Sequence, residues 1–219
     1  MESKYCYPGT KVLINKLDIH DPEELQRRER ALVSLRIVEL NDKPIKGSFD
    51  LKHLSKIHLH LFQDIYKWAG KTRTCILTKD QTEFCLPTCI VPYAETIFGT
   101  IKSDGYYISL SREEKIVKLA MLFADINALH PFREGNGRTQ RIFIEWLATV
   151  AGISLDFTRV PREQMAAASM AGMRCDYEQL IDIFDSNSHS ISEDVRRAKI
   201  KKLVAPKALL DELSVRTTK

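Results

Sequence analysis

A helical domain with a single β-hairpin is the fold this sequence predicts, and three observations carry it. Helix start and stop signals recur along most of the chain. The run 142–150, IFIEWLATV, is apolar on nearly every side, which marks a helix buried at the centre of a bundle. One stretch, 72–90, breaks the helical pattern with two short β-prone runs. With 219 residues, 44% of them apolar and 28% charged, the chain can bury a full core without disulfides or a structural metal.

The elements follow in order. Asp21 then Pro22 is an N-cap with a first-turn proline, and Glu23 and Glu24 suit the positive helix end, so a helix runs to about Leu40. Asp50 caps a second helix whose Leu51, Leu54, Ile57, Leu61 and Ile65 share a face, with its stop at Gly70. The hairpin spans 74–86 around Lys79, Asp80 and Gln81, and Pro87 and Pro92 end it. A third helix covers about 92–103. Ser111 and Glu114 form a capping box, and Ile116, Leu119, Ala120, Phe123 and Ile126 keep helical spacing up to Leu129.

The central helix begins near Gly137 and ends at Gly152. Pro161 opens a further helix, and Asp176 caps another that reaches Phe184. Beyond Ser186 the composition turns polar and then basic, RRAKIKK at 196–202. The sequence therefore divides into a domain at 1–188, with its core at about 50–188, and a looser helical extension at 189–219.

Several function classes fall away. The formal net charge is only +4, and no stripe of Lys and Arg crosses the body of the chain, which argues against nucleic-acid binding. Cys6, Cys75, Cys85, Cys89 and Cys175 are odd in number and irregular in spacing, as reduced cytosolic thiols are. The start, MESKYCYPGT, is too polar for a signal peptide, and no run reaches the length of a membrane span. A cytoplasmic protein is the expectation, with delivery into another cell left open.

The segment that carries chemistry is HPFREGNGRTQR, residues 130–141, between two strong helices. Gly135 and Gly137 around Asn136 permit positive φ and close approach of a ligand to the backbone. The next helix starts there, so its free N–H groups make an anion site by geometry and by dipole. Arg138 and Arg141, three apart, offer guanidinium forks suited to phosphate oxygens. Glu134 would repel phosphate unless a cation lay between them, and Mg²⁺ binds in that way. His130 is the loop's base with a pKa near neutrality. The set reads as phosphoryl or nucleotidyl transfer.

HPFREGNGRTQR resembles the Fic motif, HxFx(D/E)GNGRxxR, at every defined position. YPGT at 7–10 and HLFQDIYKWAGKTR at 60–73 are similar to further Fic signatures, so the resemblance covers about residues 5–188. It is nearest to small bacterial Fic toxins and to the Fic domains of type IV secretion effectors. The resemblance implies the Fic fold and a protein adenylyltransferase that moves AMP from ATP to a Ser, Thr or Tyr hydroxyl of a target protein. It implies that His130 is the base and that Phe132 anchors the loop. Glu134 would hold Mg²⁺, while Arg133, Gly135, Asn136, Gly137, Arg138 and Arg141 would bind the phosphates. The hairpin would be the family's flap, docking a target segment by strand addition through residues such as Leu77 and Phe84.

Three alternatives stay open at this point: a Doc-like kinase on the same fold, a catalytically dead binding module, and nucleic-acid binding through the basic tail. Doc-like proteins lack the second glycine and first arginine of the nest, whereas Gly137 and Arg138 are present here. Many family members carry an inhibitory (S/T)xxxE(G/N) helix. Ser34 to Glu39 is one residue too long for it and is followed by Leu40. The resemblance therefore implies a small separate antitoxin that inserts a glutamate-bearing helix against Arg141. His58 and His60, two apart on one helix, are not a metal pair, and Met165, Met170 and Met173 form a soft helix face, a packing surface by composition, near which the resemblance implies the family's adenine pocket.

Overall fold

The computed structural model describes residues 2–79 and 82–204 and is mainly helical. Helix α1 (Pro22–Asp42) starts as the sequence predicts, with the Asp21 carboxylate accepting from the Glu24 amide at 2.7 Å. Helix α2 (Leu51–Phe62) is capped by Asp50, which accepts from the His53 amide at 2.7 Å. It ends at Phe62, eight residues before Gly70. The following residues form successive turns, and their backbone groups bond outside a helix: Ile65 O accepts from Lys16 N at 2.7 Å, and Gly70 N donates to the His58 ring at 2.8 Å. These partners lie in distant or already folded segments and pull the chain back along α2.

The hairpin is shorter than predicted. Strands β1 (Thr78–Lys79) and β2 (Thr82–Glu83) pair antiparallel, Thr78 with Glu83 and Lys79 with Thr82. The tip, Asp80 and Gln81, lies outside the described residues. Pairing stops early because the flanking backbone is held by the body of the protein. Cys85 N donates to Ala128 O at 2.9 Å, and the buried Arg73 side chain takes the carbonyls of Cys75 and Cys85.

Helix α3 (Ile90–Ser103) starts two residues before Pro92, which sits in its first turn. Helix α4 (Arg112–Leu129) has both arms of the Ser111–Glu114 capping box. Helix α5 (Asn136–Ala151) is the predicted central helix; Phe143, Ile144, Leu147, Ala148 and Val150 are fully buried, and α2 and α4 pack against it.

A second antiparallel pair was not anticipated. Strand β3 (Ile153–Leu155) pairs with β4 (Ser188–Ser190), from Ile153 with Ser190 to Leu155 with Ser188. Helices α6 (Arg162–Gly172) and α7 (Glu178–Ser186) lie between them in sequence. Asp176 does not cap α7; Tyr177 holds that position, after a left-handed turn at Cys175 (φ 63°). Helix α8 (Glu193–Leu203) is not loose. Arg196, Ile200 and Leu203 are buried, the Arg196 guanidinium donates to Val150 O of α5 at 2.6 Å, and Val204 bridges to Gly47. The remainder of the 189–219 segment lies outside the described residues.

Among the described residues no helix is long and apolar enough to cross a membrane, and all five cysteines are free thiols.

Candidate functional site

Only four positions of α5 escape burial: Gly137, Arg138, Arg141 and Glu145. Their spacing, one, four and eight residues along from the first, is a single stripe running from the helix N-terminus past its middle. The two arginines and Gly137 face a cleft of about 820 Å³ that the 130–141 loop floors. Val12 from the N-terminal segment, Glu29 from α1, Leu77 and Phe84 from the hairpin, and Met165 and Ser169 from α6 wall it.

His130 closes α4 in a left-handed conformation (φ 42°, ψ 59°). Its Nδ1 lies 3.2 Å from Asn127 O, and a carbonyl can only accept. Nδ1 therefore carries a proton, and in the neutral ring the lone pair is on Nε2. The Phe84 ring stacks on the imidazole at 3.8 Å and 19°. Arg73 fixes the backbone beneath. Its Nε donates to His130 O at 2.7 Å and its Nη1 to Cys75 O at 2.8 Å, while the Arg73 amide reaches Pro131 O. One buried guanidinium thus ties the hairpin to the histidine.

The two loop glycines are there for different reasons. Gly135 sits at φ 83°, and a Cβ there would lie 2.2 Å from the Phe62 ring. Gly137 has an ordinary helical backbone, and its Cβ would meet only Arg141 Nη2 at 3.9 Å. Of the pair, only Gly135 needs positive φ. Asn136 is also not what the spacing suggests. Its side chain is buried and clasps Phe132, accepting from Phe132 N at 2.9 Å and donating to Phe132 O at 2.8 Å. Phe132 is fully buried, as an anchor should be.

Glu134 is half exposed; its Oε1 accepts from Gly135 N at 2.8 Å and lies 3.4 Å from Arg138. A single carboxylate beside a phosphate nest fits Mg²⁺, which takes one or two carboxylates and completes its shell with phosphate and water oxygens. Among the described residues no cluster of three metal-ligating side chains is present. Arg133 lines the cleft. Arg141 Nε donates to Gly137 O at 3.1 Å.

The hairpin residues Leu77 and Phe84 are buried and turned into the cleft, and Ile76 is the outward apolar side chain beside them.

Four side chains of this region escape a reading of the motif. His58 is buried between Phe62 and Phe132, with its Nε2 donating to Glu134 O at 2.9 Å. Burial, above all, pushes its pKa down to about 4, so it braces the loop as a neutral ring. It lies on the apolar face between Leu54 and Phe62, a legible signal. Glu29 pairs with Arg138 at 2.7 Å and accepts a bond from Tyr66. It too interrupts an apolar stripe, Leu25, Glu29, Val33. Arg73 and Tyr66 interrupt no apolar stripe; only their place in the 60–73 segment similar to the family points to them.

Glu145 completes the α5 stripe. Burial, followed by repulsion from Asp156, raises its pKa to about 7, against the pull of Arg141 and the Phe157 amide. A carboxyl raised on folding adds stability below about pH 4.5 that is lost as the pH climbs through 7. A rise from 4.5 to about 7 corresponds to about 3 kcal/mol. Glu145→Gln should therefore be more stable than the parent by about 3 kcal/mol at pH 8, with the difference closing toward pH 4.5. Urea melts across that range measure it; an unchanging difference would show that Glu145 keeps its charge on folding.

A buried helix that begins at a glycine turn and presents two arginines to a cleft defines a helical domain built around a cationic cleft. The chain belongs to the Fic/DOC family: residues 48–148 match the family itself, and relatives match well beyond them. It is 40% identical over 193 residues to the protein adenylyltransferase VbhT of Bartonella schoenbuchensis, covering 88% of this chain and 38% of VbhT. It is 37% identical to y4lH of Sinorhizobium fredii, covering 82% of this chain and 93% of that protein. The chain thus spans well under half of VbhT and nearly all of y4lH. Among solved structures it resembles BepC of Bartonella tribocorum, a VirB-translocated effector with bound AMPPNP, at a TM-score of 0.81 and 29% identity over 88% of this chain and 99% of the other. The mainly helical architecture expected from the sequence is the Fic fold of that structure.

Proposed function

We propose that the protein is an adenylyltransferase that moves AMP from ATP onto a hydroxyl side chain of a target protein. The observation that carries this is the convergence of His130, Glu134, the Gly135–Gly137 nest, Arg138 and Arg141 on one cleft. The names of relatives such as VbhT agree with it.

In this reading the target hydroxyl oxygen attacks the α-phosphorus, the bond from that phosphorus to the bridging oxygen breaks, and pyrophosphate leaves. His130 Nε2 takes the hydroxyl proton, since Nδ1 is already protonated toward Asn127. Phe84 and Arg73 hold the imidazole in place from ring and backbone. The α5 N-terminus, Arg133, Arg138 and Arg141 bind phosphate oxygens, and their positive ends stabilise the developing charge. Mg²⁺, held by Glu134, would neutralise phosphate charge as ATP binds. Target chain docks along β1–β2 by strand addition, beside Ile76. The protein works in a cytoplasm, either of its own cell or of one it enters. A separately encoded partner restrains it by placing a helical carboxylate against Arg141, where it competes with phosphate for the guanidinium fork.

Label position tests the reaction. With lysate as the source of targets, ATP labelled on the α-phosphate should mark protein bands, and ATP labelled on the γ-phosphate should not. The reverse pattern would assign the site to a kinase.

A further inference from the structure

Arg138 is pulled by two carboxylates. Its Nη2 lies 2.7 Å from Glu29 Oε1 and 3.4 Å from Glu134 Oε1. The guanidinium rests over the Phe62 ring, 4.7 Å from its centroid. Glu29 comes from α1, 109 residues away in sequence, and is buried. Its second oxygen accepts a bond from the Tyr66 hydroxyl, and Tyr66 is itself buried against Trp68. Glu29 is thus held from both sides, while Glu134 is half exposed at the cleft.

We propose that Glu29 is a positioning residue for the nucleotide: anchored by Tyr66, its carboxylate takes the shorter of the two bonds to Arg138 Nη2, keeps the guanidinium from closing fully on Glu134 and leaves its other edge open to phosphate. This rests on reading Arg138 as a phosphate ligand. The alternative to the Glu29 pair is already visible in the structure. Glu134 is one helical turn from Arg138 and on the same side, a spacing that favours an ion pair. Without Glu29, Arg138 would close on Glu134, and one contact would consume both a guanidinium meant for phosphate and a carboxylate meant for a cation.

Simple electrostatics makes the opposite forecast. A carboxylate near a polyphosphate should repel it, so its removal should tighten binding. The two accounts therefore differ in sign.

The experiment is equilibrium binding of AMPPNP with Mg²⁺ to the purified chain, without turnover. Glu29→Gln should bind about tenfold more weakly, the scale of one charge-assisted hydrogen bond. Tyr66→Phe, which keeps the ring packing, should weaken binding in the same direction by a smaller factor. In an Arg138→Ala background, Glu29→Gln should have no further effect, because Glu29 acts only through that arginine. A purely structural role would give additive losses instead, and that additivity overturns the inference. So does unchanged or tighter binding by Glu29→Gln. If Glu29→Gln does not fold, Tyr66→Phe alone and with Arg138→Ala gives the same test. Failure of the parent chain to bind AMPPNP would instead remove the phosphate reading of Arg138, and this inference with it.

Discussion

Replacing His130 with Ala should abolish transfer while leaving nucleotide binding nearly intact. In the proposed mechanism the imidazole acts on the target hydroxyl, and its contacts with described residues lie outside the Gly135–Gly137 turn: Nδ1 bonds Asn127 O and the ring stacks on Phe84. Loss of a positioned base costs on the order of 10²–10⁴ in rate. The fold should tolerate the change, because the backbone bonds from Arg73 to His130 O and from His130 N to Ile126 O are unaffected. The left-handed backbone at this position already strains His130, so Ala inherits that strain without adding its full cost. The check is a single-turnover assay with α-labelled ATP beside an AMPPNP titration. Transfer at near the parent rate would remove His130 from the mechanism. Loss of AMPPNP binding together with transfer would mean the variant has lost the loop, not the base.

The second large effect separates the two glycines of the nest. Gly135→Ala should cost about 3 kcal/mol or more, since it adds left-handed strain to a Cβ placed inside the Phe62 ring. Phe62 cannot step aside cheaply, because it is fully buried and carries the Arg138 guanidinium on its face. Such a loss is a large share of the roughly 5–15 kcal/mol that stabilises a domain. Gly137→Ala should behave oppositely. Its backbone is helical and its Cβ would enter open space, so stability should hold or rise by up to about 1 kcal/mol. The added methyl would nevertheless occupy the first turn of α5 where phosphate is to sit, and ATP affinity should fall at least about tenfold. Thermal melts and AMPPNP titrations on both variants decide it. Equal destabilisation by the two would leave the nest as a turn and nothing more.

The helical frame of this protein was legible because its signals are local. Asp21, Asp50 and the Ser111–Glu114 box cap their helices as they should, and the apolar 142–150 run is the buried core of α5. Errors fall where a distant partner decides. The second helix ends at Phe62 because the groups beyond it are claimed elsewhere, among them Ile65 O by Lys16. The hairpin is short because Arg73 and Ala128 take the flanking backbone. The pair β3–β4 joins two three-residue segments across two helices, and nothing in either segment marks it. The C-terminal helix reads as a solvated basic stretch until Arg196 is seen bonded to Val150.

The sequence by itself determined the twelve-residue loop, the helix that follows it and the family to which they belong, because those residues are neighbours in the chain and spacing fixes which of them share a turn. Tertiary structure alone decided that Gly135 and Gly137 have different reasons to be glycine and that Asn136 clasps the loop. It also decided that Arg138 answers to Glu29 and Tyr66, and that Arg73 and Phe84 hold His130. Those contacts join segments up to 109 residues apart. Their geometry depends on how the helices pack, which no local spacing encodes.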